Sequence, residues 1–135
     1  MEPIDWTPSF SVGVRLLDEQ HHHLVRLINR LVADREATVR SETVSELLDG
    51  LTKYALDHFR AEEQLLEEQG SPDLARQKAE HKAYRLKIVA LCQATMSHEE
   101  SVPPELLTFL RDWWTHHILD TDMQYRAFLT ERGVR

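Results

Sequence analysis

"YALDHFRAEEQLLEEQG" (Tyr54–Gly70) sets His58 and Glu62 one helical turn apart, on a stripe shared with Leu48, Leu51, Ala55 and Leu65 or Leu66. Apolar positions recurring at strides of three and four mark an amphipathic helix. Side chains four apart project to the same side of such a helix, so the imidazole and the carboxylate face the core together. Burying both is costly unless a partner neutralises or binds them. Gly70 supplies a C-terminal stop, and Ser71-Pro72 reads as an N-cap followed by a first-turn proline for the next helix. The stretch therefore predicts a helix and raises the question of what its polar pair meets.

The same stride recurs along the chain. Leu17, His21, Leu24, Ile28 and Leu31 predict a first helix, with Asp18 as candidate N-cap. Ser41 is the candidate cap of the second. Leu74, Gln77, His81, Tyr84, Ile88 and Leu91 are in phase on a third helix, and Leu106, Leu110, Trp113 and His117 on a fourth. The expected spans are roughly 17–37, 41–69, 72–96 and 104–130. They follow an irregular arm, residues 1–16, that holds Pro3, Trp6, Pro8 and Phe10. No strand-like alternation or internal repeat interrupts the pattern. Short connections between long helices favour antiparallel neighbours, so the expected fold is all-α, an up-down-up-down four-helix bundle forming one domain over 1–135.

Bulk properties narrow the function. Hydrophobic residues make up 41% and charged residues 29% of the chain, an ordinary globular composition. A formal net charge of −7 argues against nucleic acid or anionic membrane as a partner. The lone cysteine, Cys92, cannot form an internal disulfide and fits a reducing compartment. The N-terminus lacks a basic and an apolar signal region, and no run approaches a membrane span. The expected location is cytoplasmic. What stands out is histidine, eight in 135 residues.

Taken singly, a histidine on an apolar helix face is more often a hydrogen-bonded core residue than a ligand. In "HHH" (His21–His23) at least one ring must be solvated, because successive side chains point about 100° apart, and His98 falls in a polar loop. Convergence is harder to explain that way. His21, His58 with Glu62, Gln77 with His81, and His117 all fall on inward stripes, and every helix contributes at least one. "HHILDTD" on the fourth helix offers His116, His117, Asp120 and Asp122. A metal centre where the helices meet would satisfy these groups together. Four or more imidazoles with two carboxylates exceed what one tetrahedral zinc takes, and mixed nitrogen and oxygen donors favour a dinuclear site, with iron preferred.

These residues resemble the bacterial hemerythrins, non-haem di-iron, oxygen-binding four-helix bundles, over nearly the whole chain. Trp6, Val12-Gly13-Val14 and "LDEQHHHL" are similar to the family's arm and first ligand, which implies His21 as a metal histidine. "HFRAEE" implies His58 as ligand and Glu62 as bridging carboxylate. "WWTHHILDTD" implies His117 as ligand and Asp122 as second bridge, although His116 and Asp120 have the tidier spacing and remain second choices. On a regular helix His117 and Asp122 are about 140° apart, so the resemblance implies an edge position or a distorted turn. The third helix departs from the family's His-x-x-x-His: it reads "QKAEH", with Gln77 in the first place and His81 in the second.

The resemblance implies two iron ions (Fe2+/Fe3+) with a bridging oxo or hydroxo group, and dioxygen as ligand. Gln77 would then coordinate through its amide oxygen, hold a water in the open position, or leave one iron weakly held; the first two together are preferred. Leu24, Leu110, Trp113 and Ile118 are the expected lining of the oxygen pocket. No catalytic acid, base or nucleophile beyond the metal set stands out, so oxygen binding, carriage or storage is preferred to enzymatic activity. The alternatives are a di-iron oxidase or peroxidase, or an oxygen or redox sensor acting on a separate protein partner whose nature the residues do not specify.

Overall fold

The structure, a computed structural model, describes residues 1–135. It is all-helical, with long helices packed as a four-helix bundle: α1 (Arg15–Ala33), α2 (Glu42–Glu68), α3 (Leu74–Met96) and a composite fourth rod. That rod comprises α4 (Val102–Asp112), a π-helical segment (Trp113–Thr121), a 3-10 turn (Asp122–Tyr125) and α5 (Arg126–Glu131). The residues at its joins keep right-handed helical dihedrals, so the rod is continuous. No helix is long and apolar enough to cross a membrane.

The ends of the helices follow local chemistry, with some departures from expectation. α2 stops as its glycine predicts: Gly70 has φ +67°, and the Ser71 and Gly70 N–H groups bond back to the carbonyls of Leu66 and Glu67. α3 starts at Leu74, because the Ser71 hydroxyl accepts the Asp73 N–H and closes a turn instead of capping the helix. α1 ends at Ala33, short of residue 37. Asp34 leaves the helical region (φ −91°, ψ 79°), and the chain turns through Arg35 and Glu36 before Ala37 packs against the core and Val39 enters it. Asp18 is inside α1 and is not its N-cap. Its carboxylate reaches back to accept the Val12 N–H at 2.9 Å and the Ser11 hydroxyl at 2.5 Å. Ser41 does stand before α2, but its hydroxyl accepts the Thr38 N–H and makes no bond into the helix.

The N-terminal arm is anchored on α1 and the fourth rod. Asn29 clasps Ile4 through two bonds, to its N–H (2.7 Å) and its carbonyl (2.9 Å). Trp6 lies over His22, and Phe10 meets Trp114 edge-on. Inside the bundle two apolar clusters stand end to end. The larger includes Leu24, Ile28, Leu51, Phe59, Tyr84, Leu106, Leu110 and Ile118; the smaller consists of Val12, Val14, Leu17, Leu66, Tyr125 and Leu129. Along α1, α2 and the fourth rod the chain passes from one cluster to the other through buried polar residues, at His21, Glu62 and Asp122. A polar layer is thus enclosed between two hydrophobic plugs.

Candidate metal centre

Seven side chains make that layer: His21 from α1, His58 and Glu62 from α2, Gln77 and His81 from α3, His117 from the π-helical segment and Asp122 from the 3-10 turn. All are fully buried except His117, which is 2% exposed. The π-helical segment explains the five-residue spacing of the last two. Its wider turn bonds the Asp122 N–H to the His117 carbonyl, so both side chains emerge on one side of the rod. Glu80 of α3 supports this turn from outside, accepting from His117 Nδ1 and from the Thr121 hydroxyl, each at 3.0 Å. His116 and Asp120, the second choices, are exposed.

The donor atoms form two groups that share a carboxylate: His21, His58, Glu62 and Asp122 in one, and Glu62, His81 and His117 in the other. Within each group they lie inside 4.8 Å of one another. Both carboxylates straddle the divide. Glu62 sets Oε2 3.4 Å from His58 Nε2 and Oε1 2.8 Å from His81 Nε2. Asp122 sets Oδ2 3.2 Å from His21 Nε2 and Oδ1 3.1 Å from His117 Nε2. The two imidazoles of the first group bring their Nε2 atoms within 3.1 Å.

Three of the four histidines are held from behind. His58 Nδ1 meets Gln20 Oε1 at 2.7 Å, His81 Nδ1 meets Glu63 Oε2 at 2.7 Å, and His117 Nδ1 meets Glu80. An acceptor at Nδ1 keeps the proton there and turns the Nε2 lone pair inward, the arrangement by which carboxylates and amides orient metal-binding imidazoles. Glu62 Oε1, His81 Nε2, His117 Nε2, Asp122 Oδ2 and Gln77 Oε1 are buried with no hydrogen-bond partner. Orphaned acceptors that converge in this way are too costly for a resting core. They fit a pair of cations, and the nitrogen and oxygen donor set, free of thiolate, fits iron or manganese better than structural zinc.

Without metal, the buried imidazoles and carboxylates act on one another. Burial pushes the Glu62 carboxyl up, but His58 and His81 outweigh it and hold it well below the usual carboxylate range. Burial and the nearby Glu62 charge raise Asp122, yet His117 and His21 bring it down on balance. Burial drives His58 down, against the pull of Glu62. For His117 burial also acts downward, but Asp122, Glu62 and Glu80 prevail and raise it to about 9. Aromatic rings fix the imidazole planes: Tyr54 stacks on His58 at 5.0 Å, Phe59 on His81 at 3.8 Å and Trp113 on His117 at 3.8 Å.

Several of these supports are absent from the sequence reading. Gln20, Glu63 and Glu80 are polar residues immediately next to His21, Glu62 and His81 in the chain, and that adjacency is the only trace they leave. Tyr125, one turn beyond Asp122, donates to Glu62 Oε2 at 2.6 Å. Gln77 donates its amide N–H to Asp122 Oδ1 at 2.8 Å.

Residues 12–129 match the Hemerythrin HHE cation binding domain. The chain is 32% identical over 135 residues to a bacteriohemerythrin of Methylococcus capsulatus, covering 96% of this chain and 99% of that one. A bacteriohemerythrin of Stenotrophomonas maltophilia is 31% identical over 120 residues (89% and 77% covered), and a hemerythrin-like protein of Naegleria gruberi is 32% identical over 127 (94% of each). Among solved structures, a crystal structure of a hemerythrin with a leucine-to-tyrosine substitution aligns with TM-score 0.76 at 27% identity, covering 94% of this chain and 97% of that one.

Proposed function

We propose, from the premise that this chain belongs to the hemerythrin HHE cation-binding family, that it is a di-iron protein that binds dioxygen reversibly inside the bundle. One observation carries this reading: each buried carboxylate directs one oxygen to each of two imidazole sets, Glu62 between His58 and His81, and Asp122 between His21 and His117. Glu62 and Asp122 would each span both ions; His21 and His58 would hold one, and His81 and His117 the other. When bound, the two irons supply the electrons that dioxygen takes up.

The polypeptide's own contribution is orientation, proton placement and exclusion of water. Gln20, Glu63 and Glu80 keep protons on the outer ring nitrogens of His58, His81 and His117, so the inner nitrogens remain free as donors. Tyr125 keeps one Glu62 oxygen in place. Leu24, Leu110 and Ile118 are fully buried and Trp113 nearly so, and we assign them the apolar lining beside the ions. A dry lining suppresses hydrolysis and proton leakage at the centre.

Gln77 favours a second reading, a di-iron oxidase or peroxidase. Its Oε1 is buried without a partner, and an amide oxygen or a water it holds is a weaker, more exchangeable ligand than imidazole. A position that exchanges readily favours turnover over carriage. Recording the visible spectrum of the anaerobically iron-loaded protein in air and again under vacuum tests the first reading. A charge-transfer band that appears with air and disappears under vacuum supports it. Steady consumption of peroxide with a reductant, and no reversible band, transfers the assignment to the second.

A further inference from the structure

Arg76 of α3 is half exposed, yet its guanidinium meets three partners at once. Nε donates to Glu80 Oε2 at 3.0 Å, one terminal nitrogen to Gln124 Oε1 at 2.9 Å and the other to the Thr121 hydroxyl at 3.4 Å. The other arginines that form ion pairs, Arg15, Arg30 and Arg111, each meet one carboxylate only. Glu80 lies on Arg76's own helix, but Thr121 and Gln124 belong to the fourth rod, where they flank Asp122. Gln124 presents its oxygen because its amide nitrogen donates to Asp120 Oδ1 at 3.4 Å. The fork therefore ties α3 to the junction between the π-helical segment and the 3-10 turn.

That junction sets the spacing on which the centre depends. π-Helical turns are rare, and this one bonds the Asp122 N–H to the His117 carbonyl so that both side chains emerge together. α3 grips it from two sides. Inside, Gln77 donates to Asp122 Oδ1 at 2.8 Å. Outside, Glu80 accepts from His117 Nδ1 and from the Thr121 hydroxyl, each at 3.0 Å. Glu80 is 30% exposed, so water competes for its oxygens, and Arg76 is the permanently charged partner that keeps it turned to the rod. An exposed ion pair four residues apart on a helix contributes little by itself. A rigid fork with partners on two elements fixes their relative position as well.

We propose that Arg76 is a positioning residue for the metal centre: by holding Glu80, Thr121 and Gln124 together, it sets the register of α3 against the fourth rod at which His117 and Asp122 face one ion. Its action at the metal rests on the di-iron reading. Arg76 touches no donor atom, so it acts through Glu80 and through the turn that carries His117 and Asp122. The ion it affects most is the one His81 and His117 would hold, because His117 is the ligand that Glu80 orients.

Iron release tests this. Protein loaded with ferrous iron under argon and desalted is mixed with a chelator, and release is followed optically. Arg76→Gln releases iron about tenfold faster than wild type, the low end of what removing an outer partner costs a metal site. Arg15→Gln, which breaks an exposed pair of the same spacing remote from the centre, stays within about twofold. Arg76→Lys keeps the charge and loses the fork, so it remains several-fold faster than wild type.

A second readout requires no metal. In chelator-treated, histidine-labelled protein, the His117 Nδ1 proton exchanges with water about tenfold faster in Arg76→Gln, by NMR, because Glu80 no longer covers it steadily. Release from Arg76→Gln within about twofold of wild type overturns the proposal. So does full recovery in Arg76→Lys, which would show that a charge beside Glu80 suffices. A lowered denaturation midpoint in Arg76→Gln with both release and His117 exchange unchanged reduces the contact to packing and also overturns it. Wild-type protein that retains no iron refutes the di-iron reading, and with it any action of Arg76 on metal; unaltered His117 exchange in Arg76→Gln refutes the clamp itself.

Discussion

Gln77 and Asp122 are joined by an amide N–H bond of 2.8 Å to Asp122 Oδ1, and this bond leaves Gln77 Oε1 as a buried acceptor that nothing in the polypeptide satisfies. The glutamine is therefore turned into the centre, held by the same carboxylate that faces both imidazole sets. Gln77→His adds a third imidazole on the His81 and His117 side. The air-exposed iron protein should then autoxidise more slowly, by about tenfold if one weak ligand is replaced by a strong one. An unchanged autoxidation rate would show that Gln77 does not act on the iron.

Glu62 is the only residue common to both donor groups. Glu62→Ala removes one carboxylate oxygen from each, so metal content after loading and desalting should fall from two per chain to below one. Two ions retained per chain in Glu62→Ala would contradict the shared-ligand geometry.

Tyr125→Phe tests a support two steps from the metal. Its hydroxyl gives Glu62 a charged hydrogen bond of 2.6 Å in a fully buried setting. Losing such a bond costs about 2 kcal/mol, which should appear as a lower denaturation midpoint in the metal-free protein and faster iron loss to a chelator. If both measurements match wild type, the bond does not hold the carboxylate in place.

Metal-free protein should be most stable near pH 6.5. Burial lowers the folded-state pKa of His58. Its contribution is present above the unfolded value of about 6.5 and is lost as pH falls through the folded one. His117 has the opposite sign, raised to about 9 chiefly by Asp122 against the effect of burial. Its contribution is complete below about 6.5 and disappears as pH climbs through 9. Denaturation midpoints of chelator-treated protein between pH 5 and 9 should therefore pass through a maximum. A monotonic rise across that range would mean that His117 gains nothing from its carboxylate neighbours.

His98 provides a test of the fold without the site. It ends α3 in the left-handed region, φ +55°, where Glu99 and His98 N–H groups bond back to the carbonyls of Ala94 and Thr95. Glycine holds that conformation without a Cβ penalty, so His98→Gly should stabilise the protein by about 1 kcal/mol, read from the thermal midpoint. A loss of stability would mean that the exposed imidazole makes a contact worth more than the backbone relief.

The helices and the inward phase of the polar residues are legible in the sequence because both follow from periodicity. Leu24 and Ile28 share a face with His21, and Leu51 and Ala55 share one with His58, through a rule that needs no tertiary information. Spacing alone did not decide between His117 with Asp122 and His116 with Asp120. The regular-helix rule favours the second pair, and only the π-helical segment, supported by Glu80 from another helix, brings the first pair together. Such a support is a long-range contact with no local signature, and the same is true of Gln20 against His58 and Tyr125 against Glu62. The caps failed for a related reason: Asp18 and Ser41 have capping chemistry, but nearby backbone in the arm and the loop offers them better donors.

The central claim is that imidazoles and carboxylates from all four rods of the bundle enclose two metal ions. Loading the chelator-stripped protein with ferrous salt under argon, desalting it and counting iron per chain tests this most directly. The geometry predicts two irons per chain, retained through desalting. Protein that emerges with none, while still folded by circular dichroism, would contradict it.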